Sequence, residues 1–205
     1  MKVVNLILVT ILSSFLLLNN ISAGQNVQTV FCVLLIALVV FAKNDLNSRY
    51  MVVSYLMVFT LGKIVFYPIE MYVYPNFNSL VQNSAAFGMS FLLDILLIYL
   101  VRNRMLFSLM LTGGEEPSVL EKNYTEGPLF GLLLGYASID LVAFVENVVR
   151  NLEYFGFSKE FAKQFWHVTF FYDYYEYLKG TLMALSITVL YMGVVIRKRQ
   201  MPSAA

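Results

Sequence analysis

Apolar residues run in long blocks along this chain, each broken by a short polar or charged stretch. Six blocks approach or reach the roughly 20 residues that a helix needs to cross a hydrocarbon core about 30 Å thick at about 1.5 Å per residue. They are Val3 to Leu18, Val27 to Ala42, Tyr50 to Tyr72, Leu80 to Val101, Leu129 to Val149 and Tyr174 to Ile196. Lipid offers no partner to a free backbone N–H or C=O, so each block is expected to be helical. The pattern predicts an all-α polytopic membrane helical bundle of about six transmembrane helices, in a single domain over residues 1–205. Lys2, the apolar run after it and Ser22-Ala23-Gly24 also have the order of a cleaved signal peptide. Cleavage would leave five spans, and a retained first helix is the expectation.

Composition agrees with the pattern. Hydrophobic residues make up 59% of the 205 and charged residues 13%, where a soluble domain carries about 25% charged. The cations are also unevenly placed. With a cytoplasmic amino terminus, the inner side receives Lys2, Lys43, Arg49, Arg102, Arg104, Lys122, Arg197, Lys198 and Arg199, and the outer side Arg150, Lys159 and Lys163. That asymmetry predicts both termini in the cytoplasm, and the compact build points to a bacterial inner membrane.

Ionisable residues within the spans are the candidate chemistry, because a charge at the bilayer centre costs about 2.5–3.5 kcal/mol even on the lenient insertion scale. Lys63, Asp94 and Asp140 stand out. Counted from the inner face, Lys63 lies about 20 Å up its span and Asp140 about 16 Å up its own, a depth match that predicts an ion pair. Glu70 and Glu146 approach the outer face, and Glu146 precedes Arg150 by four residues, the spacing of a helical ion pair. Gly131-x-x-x-Gly135 followed by Ser138 gives the fifth span a small-residue ridge, and Asp140 with Asn147 gives it a polar face. Pro68 is expected to end the third span just below the outer interface.

Two segments outside the spans have unusual composition. Between Phe165 and Tyr177 eight of thirteen residues are aromatic. Phe157, Phe161 and Phe165 recur at helical spacing, so residues 150–173 are expected to hold an interfacial helix before the last span. Phe165, Trp166, Tyr172, Tyr174 and Tyr175 would form its outer aromatic belt against lipid headgroups. On the inner side, residues 105–128 are expected to be a cytoplasmic loop, with Glu115, Glu116, Glu121 and Glu126 as its partner-binding face. Lone Cys32 excludes an internal disulfide and a cysteine metal site, and lone His167 the paired-histidine motifs. No metal, cofactor or direct nucleic-acid contact is expected.

These features describe a non-enzymatic membrane sensor or scaffold that contacts lipid, forms a homo-oligomer and recruits a cytoplasmic protein partner. In length, polytopic build and absence of an enzyme motif, the chain resembles the membrane subunit of the Kiwa anti-phage system. The resemblance covers size and topology across the whole chain, so no functional residue is carried over. It implies an oligomer that recruits a nucleic-acid-binding effector in antiviral defence. That family is described with four spans, against the six read here. The alternative is a small ion or solute transporter or channel, which requires Lys63, Asp94 and Asp140 to face one water-accessible cavity. Glu146-x-x-x-Arg150 also resembles the glutamate motif of CAAX-type membrane proteases. Those need histidines in later helices, and His167 lies outside the spans, so an intramembrane enzyme is not expected.

Overall fold

A computed structural model of the protein describes residues 27–43, 45–113, 121 and 123–200. All regular structure among them is helical. Seven helices follow in order: α1 (Val27–Phe41), α2 (Leu46–Pro68), α3 (Ser79–Arg102), α4 (Arg104–Thr112), α5 (Glu126–Arg150), α6 (Lys159–Lys163) and α7 (Phe170–Gln200). Four helical stretches, Leu46–Asn76, Ser79–Arg102, Glu126–Arg150 and Phe170–Arg197, are long and apolar enough to cross a membrane. α1 is apolar but has only 15 residues, about 22 Å of rise, short of a full hydrocarbon core. Four of the six blocks are thus long apolar helices and Val27 to Ala42 is a shorter one, while the block from Val3 to Leu18 lies outside the described residues.

The span containing Pro68 does not stop there. A π-helical turn over Ile69–Val73 follows, then a last α turn at Tyr74–Asn76. Proline lacks the N–H that would bond back one turn, and the wider turn keeps the chain helical past the gap, with the Tyr74 N–H reaching the Ile69 carbonyl. Elsewhere the boundaries have plain local causes. Asn78 caps α3 by accepting the Val81 N–H at 3.0 Å, and Gly113, at φ +63°, terminates α4 in the left-handed conformation that glycine adopts without strain.

α2, α3, α5 and α7 form a ring in which each packs on the next, with α1 lying outside against α2 and α7. One end of the ring carries Asp45, Arg104 and Arg197, the basic end; the other carries Tyr74, Arg150 and Phe170, the aromatic end. The apolar core fills only the basic half. It is built from Phe31 and Leu35 of α1, Met51, Val52 and Tyr55 of α2, Leu97 of α3, Leu129 and Leu133 of α5 and Ile187 and Leu190 of α7. Toward the aromatic end the inward positions turn polar, and that change locates the site.

α7 makes its tightest approach near the basic end, where a β-carbon at Gly193 would lie 2.9 Å from Thr125 Oγ1 and 3.1 Å from its Cγ2. Thr125 is held there by its hydroxyl on Asn123 Oδ1 at 2.7 Å. Gly193→Ala gains up to about 1 kcal/mol of helix propensity and loses about 1–3 kcal/mol to overpacking. We expect a lower apparent Tm in detergent for Gly193→Ala and a higher one when it is added to Thr125→Ala, which removes both clashing atoms. Equal shifts in the two backgrounds would show that the helix and the loop are not in contact.

Candidate functional site

On α5 the buried positions Leu133, Tyr136, Asp140, Ala143 and Asn147 recur at three- and four-residue spacing, so one helical face runs from core to polar. Asp140 is at the middle of this face and wholly buried. On α7, Tyr172, Tyr175, Lys179 and Met183 share a face in the same way. Where these faces meet α3, Lys179 Nζ lies 2.6 Å from Asp94 Oδ2 and 2.8 Å from Asp140 Oδ1. The Tyr175 hydroxyl donates to the same Asp140 oxygen at 2.7 Å, and the ammonium sits 4.8 Å from the centre of the Tyr136 ring. Asp140 Oδ2 is buried and has no hydrogen-bond partner.

This triad corrects the expected Lys63–Asp140 pair. α2 and α5 face each other across the ring rather than side by side, so depth matching alone paired residues on non-adjacent helices. Lys179 supplies the cation from α7, which does pack on α5. Two carboxyl groups share one ammonium here. The set is neutral only when one carboxyl holds a proton or a bound cation balances it.

The triad borders a cavity of about 790 Å³ in the aromatic half of the ring, walled by α2, α3 and α7. Lys63 of α2, Glu70 of the π-helical turn after it, Asp94 of α3 and Glu176 and Lys179 of α7 all line it. With Asp140 behind Lys179, that makes four carboxyls and two ammoniums. Its aromatic lining includes Phe66, Tyr74, Phe87, Tyr136, Tyr172 and Tyr175. The volume lies in the upper part of the roughly 300–1,000 Å³ that ligand pockets occupy. Lys63 and Asp94, singled out from the sequence, therefore face one cavity, and Asp140 reaches it through Lys179.

The other expected pairings change partners. Glu146 accepts the backbone N–H groups of Phe171 and Tyr172 at 2.9 and 2.8 Å, so it caps the start of α7 instead of pairing with Arg150. Arg150 lies over the Tyr172 ring, 4.7 Å from its centroid. The interfacial helix shrinks to the five residues of α6, preceded by a 3₁₀ turn at Leu152–Phe155. Phe157, Phe161 and Phe165 do meet ring to ring, at 5.7 and 5.3 Å. Trp166 and Tyr174 are exposed at 41% and 52%, whereas Tyr175 turns inward to the triad. His167 is exposed in the turn that follows α6. Of the small-residue ridge, Gly135 meets Leu182 of α7 and Gly131 faces open space.

The described residues of the acidic segment are likewise paired with the bundle. Met105 to Leu111 belong to helix α4 rather than to a loop. Glu126 pairs with buried Arg104, and Glu121 Oε2 lies 3.0 Å from Arg197 Nη2. Those two carboxylates are engaged in intramolecular pairs, with side chains 64% and 36% exposed for Glu121 and Glu126, while Glu115 and Glu116 lie outside the described residues. Among the described residues no group of three or more His, Cys, Asp or Glu side chains is arranged to hold a metal ion. Comparison with known proteins finds no family model, no curated protein and no solved structure that matches the chain.

Proposed function

We propose that this is a non-enzymatic multi-pass protein of a bacterial inner membrane that binds and passes protons or a small cationic solute through the cavity beside Lys179. The observation that carries this reading is the excess of carboxyl groups over ammoniums around an aromatic-lined intramembrane space. Acids attract a cation into that space, and tyrosine and phenylalanine faces bind an organic cation without the desolvation cost of another charge. Asp140, with one buried oxygen lacking a donor, is the group that a proton or cation would satisfy. Lys179 then exchanges between Asp94 and Asp140 as the load arrives and leaves. The scaffold reading draws less support, because Glu121 and Glu126 are engaged within the chain.

Flux into liposomes tests it. The purified protein is reconstituted and assayed with three probes: protons against an internal pH dye, sodium, and the fluorescent organic cation ethidium. At least one probe is expected to enter faster than in empty liposomes, and Asp140→Asn is expected to lower that rate about tenfold or more, the effect of losing roughly 1.4 kcal/mol or more of transition-state stabilisation. Wild-type rates equal to empty liposomes for all three would overturn the proposal. Attention then passes to capture of a cytoplasmic partner, comparing wild type with a variant whose residues 115–126 are replaced by a neutral linker.

A further inference from the structure

A second, smaller cavity lies at the aromatic end, about 310 Å³ in volume, lined by Ser79, Asn83, Arg150, Asn151, Trp166 and Tyr172. Its lining contains one cation and no acid. Arg150 Nη1 is buried and has no hydrogen-bond partner, and Glu146, the carboxylate one helical turn before it, is spent on the first N–H groups of α7. A buried guanidinium N–H without an acceptor is costly, and an anion is the partner that suits it best. The guanidinium is also fixed in direction by the Tyr172 ring beneath it.

The amides around it are fixed too. Asn83 Nδ2 donates to Asn147 Oδ1 at 3.3 Å, and Asn151 Nδ2 to the Asn147 carbonyl at 2.7 Å. Asn147 itself is anchored on α3, donating to the Leu80 carbonyl and Ser84 Oγ at 3.0 Å each. Asn151 Nδ2 also reaches Asn147 Oδ1 at 3.3 Å, so its NH₂ group is spent on Asn147, whereas the Asn83 NH₂ group keeps a second hydrogen available to the cavity. Lys163 stands over the Trp166 ring at 5.9 Å, adding positive potential at the rim. The pocket sits at the level where α7 begins and the exposed aromatics cluster, the level of lipid headgroups in a spanning bundle.

We infer that this pocket binds a phosphate group, held by Arg150 with the amide of Asn83, walled by Asn151 and flanked by Trp166 and Tyr172. Arginine's planar fork matches phosphate oxygens two at a time, and the Asn83 amide adds a donor without adding charge. The space exceeds a bare anion, so the group arrives as a phosphate ester, either a lipid headgroup or a soluble organophosphate. Asn83 and Tyr172 line the larger cavity as well, so an occupant here touches two of its wall residues.

Trp166 is the only tryptophan in the chain, which makes its fluorescence a reporter of this pocket alone. The full-length protein is stripped of lipid in a maltoside detergent and titrated with inorganic phosphate, glycerol 3-phosphate and a short-chain phosphatidylglycerol, with sodium chloride at matched ionic strength as the blank. A saturable change in Trp166 emission is expected with at least one of them and not with the blank. Response to the lipid alone assigns a headgroup, and response to the soluble phosphates assigns an organophosphate; either supports the site. Arg150→Gln is expected to weaken binding about tenfold or more, and Lys159→Gln to leave it unchanged. Should Arg150→Gln fail to fold, Asn151→Asp serves in its place, since a carboxylate in the wall repels the ligand. No saturable change with any phosphate, or an undiminished one in the Arg150→Gln and Asn151→Asp proteins, overturns the inference.

Discussion

Replacing Lys179 with methionine is expected to cost about 3–5 kcal/mol, because it strands two buried carboxyl groups without their shared cation. Asp140 is 0% exposed and Lys179 and Asp94 only 7% and 6%, so water replaces the lost cation poorly. The same physics predicts a rescue. A buried ionic set replaced as a whole by neutral groups of similar volume is often as stable as the original or more so. Lys179→Met with Asp94→Asn and Asp140→Asn keeps the volumes and leaves the Tyr175 hydroxyl a partner in the new amide. We therefore expect the single variant to lose most of its folded, monodisperse fraction after solubilisation, and the triple variant to recover it with little or no flux in liposomes. Apparent Tm and size-exclusion profiles of the two variants and wild type provide the measurement. An unchanged profile for Lys179→Met alone would mean that the three side chains are not in contact. Recovery of stability without recovery of flux separates the structural role of the triad from its coupling role, which single substitutions cannot do.

The four long spans were legible because the bilayer imposes length. Leu80 to Val101 became Ser79–Arg102, and Leu129 to Val149 became Glu126–Arg150, shifts of three residues or fewer. The triad was half legible. Asp94 and Asp140 declare themselves as acids inside apolar runs, but Lys179 is not among the charges that the sequence singles out. The reason is the aromatic run before it. Phe170 to Tyr177 suits a headgroup belt as well as a helix, and assigning it to the interface began the last span at Tyr174. The helix starts at Phe170, which puts Lys179 nine residues inside, about 14 Å from that end. The i, i+4 step from Tyr175 to Lys179 and on to Met183 was the available signal. Which helices are neighbours was not legible at all, since depth along a span says nothing about position around a ring. Glu146 was misread for a related reason. The N–H groups at the start of α7 compete for its carboxylate, and local spacing to Arg150 does not reveal them.

The same competition decides the inner segment, where two arginines do what the acidic residues alone do not suggest. Arg104 is 3% exposed. Its Nε meets the Glu126 carboxylate, Nη1 donates to Asn47 Oδ1 at 2.8 Å and Nη2 to the Glu121 carbonyl at 2.9 Å. Arg197 adds both carboxylate oxygens of Asp45, at 3.0 and 3.1 Å, and the Glu121 side chain. The two guanidiniums thereby fasten the chain around residues 121 to 126 onto the start of α2 and the end of α7. Arg104→Ala removes one of the two donors to Oδ1 of Asn47, which is wholly buried and keeps the Asn123 amide, and leaves Glu126 without its cation, a loss of about 3–5 kcal/mol where the pair is buried and less for the 36% exposed Glu126 side chain. The released segment is expected to become a substrate for a glutamate-specific protease. Cleavage after Glu121 and Glu126 should be slow in wild type, fast in Arg104→Ala and nearly as fast in Arg104→Lys, because an ammonium cannot span three acceptors in the directions a planar fork reaches. Equal cleavage of wild type and Arg104→Ala at these two sites would show that the segment is not fastened by Arg104. Run on inside-out and right-side-out vesicles, the same digestion reports orientation. With the basic end in the cytoplasm, Arg104→Ala is cut at Glu121 and Glu126 in inside-out vesicles only, and the opposite result would invert the topology that the distribution of lysine and arginine predicts.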